Sequence, residues 1–269
     1  MPATKSPATS RKVYFNLVKS IGFSDFKVKY NASVLGYFWS LGKPLLLFSI
    51  LYVVFTRFLH IGAGVQYYSI QLLLGIIIWN YFSEATLTCM NSLVSKGGLL
   101  RKIYFPREII ILASGFTSFL TLLLNLAVLP VFMYFKHVPV SWEIVLVIPL
   151  LVELFLFTIG LALLLSALFV KFRDIGHIWE VSLQGLFYAT PIVYSLNSVP
   201  ERFRGLLMCN PMAQIIQDLR HVMITPTAVT SSDVLHNGLQ FIPYLLALLV
   251  LIVGVAYFNR SSKSFAEEV

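Results

Sequence analysis

Three glutamates, Glu84, Glu153 and Glu180, stand within or at the edges of long apolar stretches of this chain. A carboxylate in hydrocarbon is costly, so such a residue is by default a candidate for function, and three of them suggest a proton relay. Their positions predict that Glu84 and Glu180 lie near one end of their helices and Glu153 near the opposite end. Because no single path joins them, we expect each to bond a neighbouring helix or water instead of coupling protons.

Sequence motifs for bond chemistry are absent from the chain. No G-x-x-x-x-G-K-[ST] loop for phosphate occurs, since Gly42-Lys43-Pro44 is not one and Lys96 precedes Gly97-Gly98 in the wrong order. No H-E-x-x-H, G-x-S-x-G or Cys/His cluster is present, and the histidines are scattered over loops. We therefore predict no catalytic residue, metal site or cofactor in this chain; any ATP and Mg²⁺ would bind to another protein.

Aromatic residues are the third chemical feature, with 22 Phe, 13 Tyr and 4 Trp making up 14% of the chain. An aromatic face suits a sugar ring, whose axial C–H groups meet the π face, although many aromatics in apolar stretches face lipid or form belts at its surface. The candidates for lining a path are Tyr37, Trp39, Tyr52, Phe55, Phe187, Tyr188 and Tyr194.

Composition decides which fold must position these residues. The chain is 58% hydrophobic and 12% charged, with a mean hydropathy of +0.81. Several apolar runs reach the ~20 residues that cross a bilayer, and they are too continuous for barrel strands. The sequence predicts an all-α polytopic membrane protein. The net charge of +8 is read as loop charge that sets orientation, not as a nucleic-acid surface.

Six membrane spans are predicted, with no separate soluble domain. Residues 1–36 read as a cytoplasmic tail and a basic amphipathic helix in the headgroup layer, 37–258 as the transmembrane domain, and 259–269 as a cytoplasmic tail. Between spans 5 and 6, residues 197–237 are too polar to cross, and we expect short re-entrant or surface helices near 200–208 and 211–223. The spans are placed at about 37–59, 67–91, 108–135, 143–170, 176–196 and 239–258.

Orientation follows from the positive charges. Of the 20 lysines and arginines, 15 fall on the side that holds both termini in a six-span layout and 5 on the other. The positive-inside rule therefore predicts cytoplasmic termini and cytoplasmic loops at 92–107 and 171–176, with 197–237 outside.

The loop at 92–107 has the composition of a docking element. Its glycines allow a sharp turn, apolar and basic side chains follow, and Pro106 suits the first turn of the next helix. A loop held at the membrane surface by its arginines is the alternative. The docking residues are predicted to be Lys96, Gly97, Gly98, Leu99, Leu100, Arg101, Lys102, Ile103, Tyr104 and Phe105.

Short motifs along nearly the whole chain resemble the permeases of ABC-2-type exporters, in particular the branch that exports O-antigen, capsule and teichoic acid. The matching residues, in order and at about the expected spacing, are Lys29-Tyr30, Ser33, Leu35-Gly36, Trp39, Pro44, Phe172-Arg173-Asp174, Thr190-Pro191-Ile192-Val193-Tyr194 and Asn210-Pro211-Met212.

The resemblance implies a homodimer with two cytoplasmic ABC ATPase subunits in the bacterial plasma (inner) membrane, moving a lipid-linked glycan. Residues 96–105 would be the main coupling helix, and Arg173, Asp174 and His177 a second ATPase contact. Spans 1 and 5 would line the channel, and membrane lipids would surround the transmembrane domain. Arg202, Arg204, Asn210 and Pro211 would belong to an outer gate.

Two other functions stay open at the level of sequence. The first is an ABC-2 permease for a drug or a lipid, which the glycan-branch motifs disfavour. The second is a proton-coupled carrier or membrane enzyme that works without an ATPase, for which the glutamates are the only support.

Overall fold

The computed structural model describes residues 11–31, 37–96, 98 and 106–262. All regular secondary structure among these residues is helical, so the prediction of an all-α fold is confirmed. The helices are α1 Arg11–Asn31, α2 Tyr37–Val53, α3 Tyr68–Ser95, α4 Glu108–Leu126, α5 Leu129–Phe135, α6 Val147–Lys171, α7 Ile175–Ala189, α8 Glu201–Met208, α9 Pro211–Met223, α10 Ser231–Val234 and α11 Ile242–Ser261.

Five helical segments among the described residues are long and apolar enough to cross a membrane. Two of them combine elements: α2 continues into a π-helical turn, and α6 is preceded by a 3₁₀ turn. The five segments are Trp39–Phe58, Tyr68–Ser95, Glu108–Phe135, Trp142–Lys171 and Leu239–Ser261.

The predicted span at 176–196 is the exception, so the count of six is not confirmed. Helix α7 has only 15 residues and ends at Ala189. Pro191 lacks a backbone N–H and therefore cannot continue the helical ladder. The chain then runs without regular structure to a 3₁₀ turn at Leu196–Ser198.

Helix α3 forms the centre of the bundle. Most of its residues are buried, and most of those are apolar, as expected for a helix in the core of a bundle. It packs against α4 and α6 and, less extensively, against α2 and α7. A hydrogen bond also links α7 to α3: Trp179 Nε1 donates to Thr86 Oγ1 at 3.0 Å.

Helix α1 packs across α4 and is tied to the C-terminal end of α3. Thr117 Oγ1 donates to the carbonyl of Gly22 at 2.9 Å, and Asp25 forms an ion pair with Lys96. Phe15 and Val28 remain 66% and 67% exposed, which suits the predicted contact of this helix with headgroups.

The segment between α7 and α11 has helices at both places expected from sequence, α8 and α9. All residues of α9 from Pro211 to Arg220 are buried, although the helix carries Gln214, Gln217 and Asp218 as well as apolar residues. A helix with this many buried polar groups must be held by specific bonds.

Helices α6 and α11 touch backbone to backbone at two glycines. A Cβ on Gly254 would lie 1.9 Å from the carbonyl oxygen of Gly160, and a Cβ on Gly160 would lie 2.5 Å from Cα of Leu251. Small residues permit this close approach of spans.

We predict that Gly254→Ala lowers the stability of the fold by about 1–3 kcal/mol, because the new methyl group forces the two backbones apart. The thermal unfolding midpoint of the purified protein in detergent measures the effect. Gly205→Ala is the matched control, since its Cβ would meet only a side-chain atom of Leu235, at 3.6 Å. Equal behaviour of the two variants would contradict the close helix contact.

Candidate functional site

The candidate site is centred on Arg220, whose guanidinium is buried inside the bundle with 2% of the residue exposed. Its Nη1 donates to the carbonyl of Pro191 at 2.8 Å, and Nη2 donates to that of Ile192 at 2.7 Å. Both Nε and Nη2 donate to the carbonyl of Gln71, at 3.3 and 3.2 Å. One side chain of α9 therefore joins the break after α7 to the start of α3.

The break leaves carbonyl groups that no helix can satisfy, and the guanidinium supplies their donors. Gly75 makes room for it, since a Cβ there would lie 3.2 Å from Nη2 of Arg220. Burial lowers the pKa of Arg220 to about 10, so the side chain remains protonated at neutral pH. A planar group with five N–H donors is suited to bridging three carbonyls at once.

Two of the sequence motifs meet at this break. Asn210 caps α9, because its Oδ1 accepts from the backbone N–H of Met212 at 3.0 Å, and Pro211 occupies the first turn. The amide of Asn210 also donates to Thr190 Oγ1 at 3.3 Å. The predicted gate residues Asn210 and Pro211 thus begin the helix that carries Arg220.

The other two predicted gate residues lie on α8, away from the break. Arg204 Nε donates to the carbonyl of Val199 at 2.8 Å, and its Nη2 donates to that of Asn197 at 2.9 Å. These bonds brace the turn before α8. Arg202 lies over the ring of Phe203, 4.6 Å from the ring centroid, and is exposed.

A second polar group joins α9 to α6 and α11. Gln214 Nε2 donates to Asp218 Oδ2 at 2.7 Å and to Glu153 Oε2 at 3.5 Å. Tyr244 Oη of α11 donates to the same oxygen of Asp218 at 3.0 Å. Burial raises the pKa of Asp218, and the bonds from Gln214 and Tyr244 oppose that rise.

The three glutamates singled out in the sequence have separate surroundings in the structure. Glu84 pairs with Lys29 of α1, Glu153 bonds Gln214 of α9, and the side chain of Glu180 is 58% exposed, 3.9 Å from His177. None of these bonds links one glutamate to another, so the described residues show no relay among the three.

The predicted path residues are divided between α2 and the region of α7. Trp39 and Tyr188 are 53% and 64% exposed, whereas Phe187 packs against Trp79 of α3 with centroids 5.9 Å apart. Tyr194 Oη donates to the carbonyl of Tyr188 at 3.1 Å. Tyr52 stacks on Phe48, Phe55 is half-buried against the core, and the side chain of Tyr37 lies outside the described part. A path through these residues remains a prediction.

The coupling prediction falls mostly outside the described residues, namely at 97 and 99–105. Of its members, Lys96 is paired with Asp25 and Gly98 is exposed. The second contact is open to solvent: Arg173, Asp174 and His177 are all exposed, with Arg173 lying 5.2 Å from the ring centroid of Phe169.

Sequence reasoning missed the residues that build the site, chiefly Arg220, Gln214 and Asp218. Arg220 is one of the five basic residues that the sequence assigns to the side opposite the termini, where it serves only as a loop charge. A signal was present: Gln214 and Asp218 are four residues apart, which places them on one face of a helix beside apolar neighbours. Without a partner to contact, that face reads equally well as a solvated one.

Comparison with known proteins places this geometry in context. Residues 16–224 match the sequence model of the family described as ABC-2 type transporter. An O-antigen export system permease protein, RfbA of Klebsiella pneumoniae, is 29% identical over 254 residues, which cover 94% of this chain and 95% of that protein. RfbA of Myxococcus xanthus is 27% identical over 76% of this chain and 78% of its own length. The polysialic acid transport protein KpsM of Escherichia coli is 21% identical over 92% and 94%.

We predict that Arg220→Met, which keeps the bulk of the side chain but removes its donors, lowers the stability of the fold by about 3 kcal/mol, since buried carbonyls lose their partners. Thermal unfolding of the purified protein in detergent measures the loss.

Arg202→Met is the matched control, because an exposed arginine is worth no more than about 0.5 kcal/mol. The anchoring role of Arg220 is wrong if both substitutions shift the unfolding midpoint equally.

Proposed function

This chain belongs to the ABC-2 type transporter family, and from that membership we propose that it is the membrane-spanning permease subunit of an ATP-driven exporter. It is a multi-pass membrane protein. We propose that its cargo is a lipid-linked polysaccharide or a teichoic-acid-like polymer, moved from the cytoplasmic side across the bacterial plasma membrane. The observation that carries this proposal is the similarity to the O-antigen permease of Klebsiella pneumoniae along 94% of the chain.

The proposed assembly is a homodimer of this chain with two cytoplasmic ATPase subunits. Each ATPase binds ATP and Mg²⁺, because this sequence contains no phosphate-binding loop. The exposed Arg173, Asp174 and His177 are available for contact with such a partner. Charge asymmetry supports the orientation, with both termini in the cytoplasm.

Coupling in this proposal runs along α3. Closure of the ATPase dimer pushes the loop at 92–107, whose Lys96 is paired with Asp25 of α1 at the end of α3. At its other end, α3 contacts Arg220 through the carbonyl of Gln71. A rigid helix that touches both places transmits a shift from one face to the other, as in rigid-body switching. The permease itself makes and breaks no covalent bond.

The outer segment 197–237 is the proposed gate. Movement of α9 away from the break after α7 exposes a path between the aromatic residues of α2 and α7. Aromatic faces then contact sugar rings weakly and repeatedly, which lets a long chain slide. A proton relay is not needed, since Glu84, Glu153 and Glu180 each bond a different helix or solvent.

We predict that Leu100→Asp together with Tyr104→Asp abolishes co-purification of the permease with its ATPase, because two charges enter the apolar face that docks. The pair Phe203→Asp and Leu206→Asp, on exposed residues of the outer α8, is the control and should leave the complex intact. A complex indifferent to the changes at 100 and 104 would sink the coupling assignment.

The cargo is tested in cells from which this chain is deleted. We expect loss of a surface glycan, accumulation of its lipid-linked form at the inner leaflet, and recovery only when both this chain and an ATPase competent in hydrolysis are supplied.

Two results would contradict the proposal and separate the alternatives. An unchanged glycan with altered drug or lipid efflux would favour the other ABC-2 cargoes. Export that persists with an inactive ATPase and stops with Glu153→Gln would favour a proton-coupled carrier.

A further inference from the structure

A cavity of about 550 Å³ is formed by the loop before α3, the chain after α7, helix α9 and the loop after α9. This volume falls within the range of small-molecule sites, about 300–1,000 Å³. Its lining is continuous with the break after α7, because Ser195 of the lining directly follows Tyr194. The polar residues of the lining include Gln66, Gln71, Ser195, Ser198, Gln217 and Thr227.

Two buried amides line the cavity with groups that no described residue bonds. Gln217 is 3% exposed, and neither its oxygen nor its nitrogen has a hydrogen-bond partner among the described residues. The sealed oxygens without a partner include Gln214 Oε1 but no atom of Gln217, so the amide of Gln217 is open to the cavity that it lines. Gln71 is 7% exposed; its Nε2 donates to the carbonyl of Gln66 at 2.8 Å, while its Oε1 accepts from none of the described residues.

Charge is absent from the lining, since none of the described residues around the cavity is basic or acidic. An anion such as phosphate would lose its hydration here without gaining a cation, and a cation would find no carboxylate. Amides and hydroxyls each provide donors and acceptors. The lining therefore suits an uncharged ligand whose own groups both donate and accept.

A sugar residue has this chemistry. Its hydroxyl groups can accept from the nitrogen of Gln217 and donate to the oxygens of Gln217 and Gln71. Its C–H groups can contact the aliphatic part of the lining, which includes Val65, Leu196 and Val229. Water fills a polar space of this size when no ligand is bound, and sugar hydroxyls can reproduce the bonds of the water that they displace.

We propose that this cavity binds one uncharged sugar residue of the exported glycan, with hydroxyl groups on the amides of Gln71 and Gln217. The inference rests on the proposed function for its cargo and on the proposed orientation, which puts this end of the bundle outside. It also makes that function more specific, because a polymer without an uncharged sugar would not use the site. Gln71 and Gln217 lie on α3 and α9, the two helices that Arg220 joins. The bound sugar therefore contacts the proposed gate helix directly.

The test is protection of a cysteine at the rim of the cavity. Ser198 is exposed and lines the cavity, so Ser198→Cys in a Cys209→Ala background places one reactive thiol there, since Cys89 is fully buried. The purified permease–ATPase complex would be treated with methyl methanethiosulfonate, and modification of the permease chain followed by mass spectrometry. The probes are the methyl glycosides of glucose, galactose, mannose, rhamnose, N-acetylglucosamine and glucuronic acid.

We expect at least one of the five uncharged glycosides to slow the modification at millimolar concentration, the range that a few hydrogen bonds supply, and the glucuronide to have no effect. Gln217→Met keeps the length of the side chain and removes the amide. It should raise the half-protecting concentration about fivefold, which corresponds to the loss of one hydrogen bond.

Gln71→Met is the second variant, in case Gln217→Met does not assemble, and the same loss is expected. The main-chain carbonyl that Arg220 bonds remains in that variant. Gln240→Met is the matched control, because Gln240 does not line the cavity, and it should leave the protection unchanged.

The inference would be overturned by an absence of protection from every uncharged glycoside, by equal protection from the glucuronide, or by protection that survives both Gln217→Met and Gln71→Met. A cysteine at 198 that fails to react without sugar would also overturn it, because the second copy of the chain would then close the cavity. Binding and export are read separately. Absent protection with intact glycan export removes the site and leaves the proposed function, whereas protection without glycan export does the reverse.

Discussion

The bonds of one buried guanidinium join α9, the start of α3 and the break after α7. The chain must stop being helical at Pro191 because that residue has no N–H, and the carbonyls left by the stop need donors in a place where water is scarce. Arg220 provides them and at the same time bonds the carbonyl of Gln71. Burying a charge for this purpose is expensive, and the expense is offset only because several good bonds form together.

The position of α9 follows from that constraint. Once Arg220 is fixed, the face of α9 that carries Gln214 and Asp218 must lie against α6 and α11, where Glu153 and Tyr244 meet it. Helix α9 is therefore held by polar bonds at two places and by apolar packing elsewhere. Polar bonds of this kind have discrete alternatives, unlike a continuous apolar contact. That property suits the gate movement proposed for α9.

Much of the fold could be predicted from sequence because long apolar runs in lipid have few solutions. The helix predicted at 211–223 is present, and its start at Asn210 and Pro211 is a cap that depends on neighbouring residues alone. The length of α7 was overestimated, since apolar composition continues through residues 190–196 after helical bonding has ended. The role of Arg220 was out of reach because its partners are Gln71 on α3 and the carbonyls of Pro191 and Ile192, none of them a neighbour in sequence. The role of Asp218 depends on Tyr244 of another helix, and its spacing from Gln214 alone does not distinguish a buried face from a solvated one.

The most direct test of whether α9 must leave the break after α7 during export is to lock the helix there. Thr190 and Asn210 touch through their side chains at 3.3 Å, so cysteines would be introduced at both positions, with Cys209 replaced by alanine, and formation of the disulfide between them verified after oxidation. Export by the reconstituted complex would be measured with the pair oxidised and then reduced, alongside ATP hydrolysis. We expect oxidation to stop export while hydrolysis continues, and reduction to restore export. Undiminished export by the fully oxidised complex would contradict this expectation, because α9 would then not need to leave the break.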